Sequence, residues 1–427
     1  IAAIVYNNDG DDLVSMGVGA TDPNTINIPA LFISQSEGQR LKNLINQGET
    51  ILSIKKSSNT VQGYTIVPGT FYINDVVVRN NSGSSEVYAA VGYSGFRDAP
   101  NTIFGGENYG LYKSIDGGSS WEKLALNIEG SNRAVNPIDL EISSTDNTLW
   151  ASSTRDVYGA GGGGVWQSDN SGESFTKKYQ VDEETDPGRT EIEITSNNTV
   201  WIFSSTRDVN AAERVKLFKG NNGLSGLPSE ITLPDTEENY DEFTRTQHWY
   251  DQMLISDPVN PNNVFVGGIN LHRTTNGGAT GTTNPWSQLS QWYGGLGLQY
   301  VHADQHGASI LDSDPNKILF GNDGGVFYSD NGGDDISSRN DNYHTSQYYT
   351  VGVAPSTMFT NHDVRVSGSD SRYSTNLIRY ISQSGAEQDV FAGGLQDNGT
   401  QFSVDKSNGS TVATRARGGD GAATMFS

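Results

Sequence analysis

The chain has 427 residues, of which 18% are charged, and 27 Lys and Arg stand against 50 Asp and Glu for a net charge of −23. That balance excludes a nucleic-acid partner, because little positive charge is available to neutralise a run of phosphates, and it argues equally against an anionic membrane surface. No stretch approaches the roughly 18 apolar residues of a membrane helix, and the lack of cysteine removes disulfides, thiolate metal sites and thiol nucleophiles together.

AAIVYNN (2–8) and IPALFIS (28–34) read as short buried strands. Ser34–Gln47 is the one good helical segment. Ser34 and Glu37 have capping-box spacing, Leu41, Leu44 and Ile45 share a face, and Gly48 stands where a helix stops. Residues 1–58 are therefore an α/β piece, and 59–72 a linker. From about residue 73 to 427 the texture changes to short β-branched and aromatic runs broken by Gly, Asn and Asp, with 50 glycines in the chain, which predicts an all-β region.

That region repeats. SIDGGSSW (114–121) returns as SDNSGESF (168–175), and more weakly as KGNNG (219–223), TTNGG (274–278) and SDNGG (329–333). The equivalent positions are Asp116, Asn170, Asn221, Asn276 and Asn331, at steps of 54, 51, 55 and 55 residues. WASSTRDV (150–157) likewise returns as WIFSSTRDV (201–209). A period near fifty, filled with four short strands, is the signature of a β-propeller blade. Units fall at about 73–126, 136–181, 188–233, 250–292 and 302–350. A sixth spans 351–410 with an insertion near 356–386, and RGGDGAATMFS reads as the opening of a seventh. The fold class is thus mainly β, a propeller of at least six four-stranded blades, with both ends expected to continue into further domains of the same polypeptide.

The hairpins resemble Asp-boxes, or BNR repeats, as found in sialidases, sortilin-type receptors and xyloglucan-cleaving glycoside hydrolases. There the box sits at the outer hairpin of a blade and reports fold rather than chemistry. HADQHGASILDSDPNKILFGNDGGVFYSDNGG (302–333), FAGGLQDNGT (391–400) and GGDG (418–421) more closely resemble the sortilin-like propellers of secreted bacterial surface proteins. Residues 1–56 are similar to the second half of a protease-associated domain. These resemblances imply an extracellular or cell-surface location, with a protein or glycan as partner.

Four groups of residues could carry chemistry. His302, Asp304 and His306 would converge on one side of a strand and offer ligand types that suit zinc or another divalent ion; equally, they could simply hydrogen-bond one another at a blade junction. The acidic turns NDGG (322–325), QDNG (396–399) and GGDG (418–421) are placed at inner hairpins. Asp323 resembles the turn that presents a catalytic acid in the xyloglucan-cleaving enzymes, and with Asp397 would form the carboxyl pair of a glycosidase. Such turns also suit any hairpin. Trp292 and Tyr293, with Asp420, are candidate ligand contacts, as exposed rings stack on sugars; Trp121 and Trp166 are assigned to the core. Acidic loops such as DSDPN (312–316) could hold calcium, and no cofactor is required by any motif. Arg155 and Arg207, inside the repeated SSTRDV, read as structural Arg–Asp pairs. The expected function is a secreted or surface binding and scaffold module, and the alternative is a glycoside hydrolase using Asp323 and Asp397.

Overall fold

The computed structural model describes residues 3–6, 30–33, 35–46, 72–92, 108–156, 159–182, 186–206, 214–234, 243–279, 284–293, 297–342, 348–354, 390–395, 399–404, 412–417 and 421. The chain divides into two compact units, Ile1–Arg339 and Asn340–Ser427. Among the described residues no helix is long and apolar enough to cross a membrane.

In the first unit, strands β1 (Ala3–Tyr6) and β2 (Ala30–Ile33) pair in parallel and are followed by helix α1 (Gln35–Asn46), the three elements anticipated for this segment. Five four-stranded antiparallel sheets follow. They are β3 (Tyr72–Asn81) to β6 (Glu122–Lys123) through β4 (Ser84–Gly92) and β5 (Gly110–Ser114), then β7 (Asn136–Ile142), β8 (Leu149–Thr154), β9 (Gly164–Ser168) and β10 (Thr176–Gln180). The third comprises β11 (Pro187–Ile194), β12 (Val200–Thr206), β13 (Val215–Gly220) and β14 (Ser229–Ile231). The fourth has β15 (Met253–Ser256), β16 (Val264–Gly267), β17 (Leu271–Thr274) and β18 (Ser287–Gln288). The fifth has β19 (Gln305–Leu311), β20 (Asp314–Asn322), β21 (Gly325–Ser329) and β22 (Ser337–Ser338).

Every sheet is a simple meander, and its first strand lies against the first strand of the next: β3 on β7, β7 on β11, β11 on β15, β15 on β19. Sheets joined through their first strands fan out about an axis, which is the β-propeller arrangement. The core lies in the four wedges between blades. Each wedge is built around aromatic or branched residues of second strands, with Tyr88, Trp150, Trp201 and Phe265 at equivalent places and fully buried.

The second unit is one more four-stranded antiparallel sheet, β23 (Tyr348–Ala354), β24 (Val390–Leu395), β25 (Gly399–Val404) and β26 (Val412–Arg417). It begins at Tyr348 and ends at Arg417; of the residues 417–427 read as opening a seventh unit, all but Arg417 and Gly421 lie outside the described residues. The anticipated insertion near 356–386 lies outside the described residues.

The repeated hairpins all join third to fourth strands. In the first, Asp116 Oδ1 accepts from Ser114 Oγ and the Ser120 N–H, while Ser114 Oγ accepts from the Gly118 N–H. Asn170 with Ser168, Asn276 with Thr274 and Asn331 with Ser329 repeat the pattern. Both central residues of each turn have positive φ, as in Gly277 (66°) and Gly278 (65°), hence the glycines. Asn221 differs. Its turn keeps the positive φ values at Asn222 and Gly223, but Lys219 replaces the Ser or Thr, so the hydroxyl link is missing and Asn221 Oδ1 accepts from Thr199 Oγ1 instead. Trp121 also departs from expectation. It is 43% exposed and donates through Nε1 to Gly118 O, lying on its turn outside the core, whereas Trp166 is buried.

Each hairpin after the first closes onto the ring of the preceding blade. A Cβ on Gly278 would stand 2.9 Å from Trp201 and 2.8 Å from Ile231, and Gly172, Gly223 and Gly333 likewise face Tyr88, Trp150 and Phe265. At three of these four joints a cation on the preceding blade's third strand completes the contact, while Gln167 stands at that position in the second blade. Lys113 donates to Ser171 O, Lys219 to Gly277 O and Arg273 to Gly332 O. The SSTRDV arginine pairs outside its own motif: Arg155 meets Asp186, and Asp156 is taken by Arg133, while Arg207 lies outside the described residues.

Candidate functional site at the axial channel

In a meander, the turns between second and third strands share a face with the connections between blades, opposite the repeated hairpins. On that face the connection 243–250, between the third and fourth blades, gathers residues from the next inter-blade connection and from the turn between β20 and β21. Arg245 lies over the Trp292 ring at 5.4 Å, and Gln247 Nε2 donates to Asp304 Oδ1 at 3.1 Å. Tyr250 Oη donates to Asp323 Oδ1 at 2.8 Å. Arg245 and Thr246 hold φ of 51° and 70°, a costly backbone for non-glycine residues that the surrounding contacts impose.

Asp323 sits on the turn between β20 and β21, as anticipated. His306 Nε2 donates to its Oδ1 at 2.6 Å, and the His306 ring meets Tyr250 edge-on at 4.7 Å. Asp323 is thus joined to His306, a residue expected to serve a metal. Asp397, its expected carboxyl partner, and Asp420 both lie outside the described residues.

The strand expected across His302, Asp304 and His306 begins only at Gln305. Asp304 adopts φ of 64°, which breaks the alternation that would have put the three on one side. His302 Nδ1 instead pairs with Ala303 O, and its ring lies so close to Gly324 that a Cβ there would be 2.3 Å from it. Asp304 is buried and accepts from Gln247, and His306 goes to Asp323. Among the described residues no three His, Asp or Glu side chains could hold a metal ion together. In the DSDPN loop, Asp314 pairs with Lys317. Trp292 and Tyr293 stack on each other; Trp292 is half-buried, and Tyr293 is 70% exposed.

Beneath this rim runs a cavity of about 510 Å³ walled by the first strands of all five blades, with Trp249, Tyr250 and His306 among its lining. Five carboxyls line it: Asp75 on β3, Asp139 and Glu141 on β7, Glu191 and Glu193 on β11. Three are latches between blades. Asp75 Oδ2 accepts from the Leu140 N–H, Asp139 Oδ2 from the Ile192 N–H, and Glu193 Oε1 from Ser256 Oγ. Burial pushes Asp75 up to about 6 against the Leu140 bond that opposes it, and pushes Glu193 up to about 7 despite its Ser256 bond. Asp139 and Glu141 are raised well above the usual carboxylate range, by burial first and then by neighbouring carboxylates, Glu191 for the one and Glu193 for the other. Arg189 spans the wall, donating to Glu191 Oε1 and to the main-chain oxygens of Tyr250 and Gln252.

The wall carboxyls were not singled out as a site from sequence. Their signal is present in DLEIS and EIEIT, whose acidic residues two apart must share a strand face. Gln247 has no such signal, since its partner Asp304 lies in another connection, and neither do the Arg189 bonds to the main-chain oxygens of Tyr250 and Gln252.

No protein-family model matches the sequence, and no curated protein matches it. Among solved structures the chain is similar to a GH74 enzyme of Niastella koreensis, with 15% identity and a TM-score of 0.40 over 81% of this chain and 50% of that one. It is similar also to an ancestral GH74 enzyme, with 15% identity and a TM-score of 0.40 over 82% of this chain and 39% of that one. The chain spans half or less of the length of these two proteins. The propeller assignment stands on this chain's own strand order and blade contacts.

Proposed function

We propose that the chain is a secreted or cell-surface binding and scaffold module of a larger multidomain protein, recognising a protein or glycan at the channel rim. The observation that carries this reading is the commitment of Asp323. Both its oxygens accept from Tyr250, and one also from His306, so it works as a fixed acceptor that orders an aromatic rim. Trp249 packs on Tyr250 with ring centroids 5.5 Å apart, and Tyr293 is exposed nearby in sequence to Trp292. Half-buried and exposed rings of this kind stack on sugar faces or apolar side chains.

A second reading, a glycoside hydrolase, is favoured by one observation. The wall gathers five carboxyls, and burial pushes Glu193 up to about 7, so that it can hold a proton near neutrality as the acid of such an enzyme must. A glycan and peptide array, paired with reducing-end assays on the same polysaccharides, separates the two. The binding reading expects retention on the array that Trp249→Ala reduces roughly tenfold or more, with no release of reducing ends. Polysaccharide turnover by the wild type that Glu193→Gln abolishes would establish the enzyme in its place.

A further inference from the structure

The connection 243–250 carries a turn that breaks the rule the repeated hairpins obey. The Gln247 N–H donates to Thr244 O at 2.9 Å around Arg245 and Thr246, whose φ values of 51° and 70° are those of a type I′ turn. Such a turn favours Asn, Asp or Gly followed by Gly. All five repeated hairpins comply, with Gly, Ser or Asn at the first positive-φ position and Gly at the second. Here the pair is an arginine and a β-branched threonine, and no other two consecutive non-glycine residues among the described ones have positive φ. Backbone strain of this kind gathers at ligand sites. Asn-Gly would relieve it, at the loss of two side chains.

Those side chains meet a built platform. Arg245 lies over the Trp292 ring, and Tyr293, 70% exposed, stacks on the same ring. The Trp292 N–H donates to Asn270 Oδ1 at 3.0 Å. Asn270 is buried and donates to Gln291 Oε1, which also accepts from Gln288. The contact of Arg245 with the ring consumes none of the five N–H donors of a guanidinium. The cluster therefore joins a cation whose fork matches a carboxylate to an exposed aromatic face.

Resting on the reading of the rim as a binding surface, we infer that Arg245, Trp292 and Tyr293 form a subsite for a uronic acid unit of an acidic polysaccharide. A pyranose has a flat C–H face for Tyr293, and a uronic acid carries its carboxylate at the edge of that face, where a guanidinium in the same stack can take it. An acidic peptide side chain has the charge without the face. Thr246 is exposed on the turn and adds a hydroxyl for those of the sugar. The net charge of −23 hinders the encounter more than the contact, because exposed charges beyond about 8 Å are largely screened at physiological ionic strength.

The test is calorimetric titration of the full chain, at an ionic strength of about 0.15 M, with trimers of galacturonic, glucuronic and mannuronic acid. Each is set against its methyl ester, which keeps the shape and loses the charge, and against triglutamate. The expected result is saturable binding of one acid at least roughly tenfold tighter than of its ester or of triglutamate, weakened about tenfold by Arg245→Gln and by Tyr293→Ala. Arg245→Asn combined with Thr246→Gly should raise the melting temperature and abolish the preference for acid over ester. That double variant suits the turn, and it serves where circular dichroism shows Arg245→Gln misfolded. Equal affinity for acid and ester, or a preference for the acid that survives loss of Arg245, overturns the inference. Tighter binding of triglutamate also overturns it and assigns the cluster to an acidic peptide. Array retention of neutral glycans that Trp249→Ala reduces, with no response to any uronic acid, removes the subsite and leaves the rim reading in place; no retention of any kind removes both.

Discussion

The repeated hairpins and the channel wall are built from the same blades and handle their polar groups in opposite ways. At the hairpins each acceptor is met within four residues, as Asp116 is met by Ser114 and Ser120, and the turn repeats almost unchanged from blade to blade. Along the wall Asp75, Asp139 and Glu193 are met from the next blade, and the residue at one register changes from Asp75 and Asp139 to Glu191 and then Met253. Repetition marks the scaffold. The places where the repeat changes its chemistry, the wall and the connection 243–250, mark where a ligand is to be sought.

Substitutions at the two regions should separate them cleanly. The largest effect is expected where hairpin meets ring. Gly278→Ala forces a Cβ against Trp201 at a positive φ and should cost about 2–4 kcal/mol in denaturant unfolding. Gly226→Ala, where nothing lies within 4 Å, should stay within about 0.5 kcal/mol. A smaller drop at Gly278 than at Gly226 would mean that the hairpins do not seal the blades.

Next comes the wall. A carboxyl whose pKa is raised on folding keeps a proton that the unfolded chain gives up, so unfolding releases protons and stability falls as pH rises. With Glu193 at about 7, the fall should run from about pH 5 to pH 8 and amount to on the order of 3 kcal/mol for this group. Glu193→Gln keeps an acceptor for Ser256 and should flatten that part of the slope; melting temperatures at a series of pH values would show it. A slope unchanged by the substitution would place the proton elsewhere. The smallest contrast lies among the hairpins themselves. Asn331→Ala should cost about 1 kcal/mol, and Asn221→Ala only a few tenths, because the second has one long bond from Thr199 in place of the turn's own hydroxyl and N–H donors.

The propeller was legible because its determinants are local. Ser or Thr, then Asp or Asn, then Gly encode one turn whose hydrogen bonds span four residues, and five copies set the blade period. Lys219 shows the limit: the backbone of the turn survives while its hydrogen bonds change. The site was legible only in part. Asp323 falls where its turn places it, but its partners His306 and Tyr250 come from a strand start and from an inter-blade connection with no motif. The alternation anticipated for His302, Asp304 and His306 fails at one dihedral angle, that of Asp304. Trp121 looked apolar enough for the core, yet its indole N–H finds a carbonyl on the turn and the ring stays outside.

The joint between hairpin and ring runs in one direction. Trp150 is roofed by the turn at Gly223 and Trp201 by the turn at Gly278, always from the blade that comes later in the chain. During synthesis, therefore, the newest blade to leave the ribosome always carries an uncovered aromatic, and it stays sticky until most of another blade has followed. A pause anywhere between such an aromatic and the hairpin glycine of the next blade would prolong that exposure.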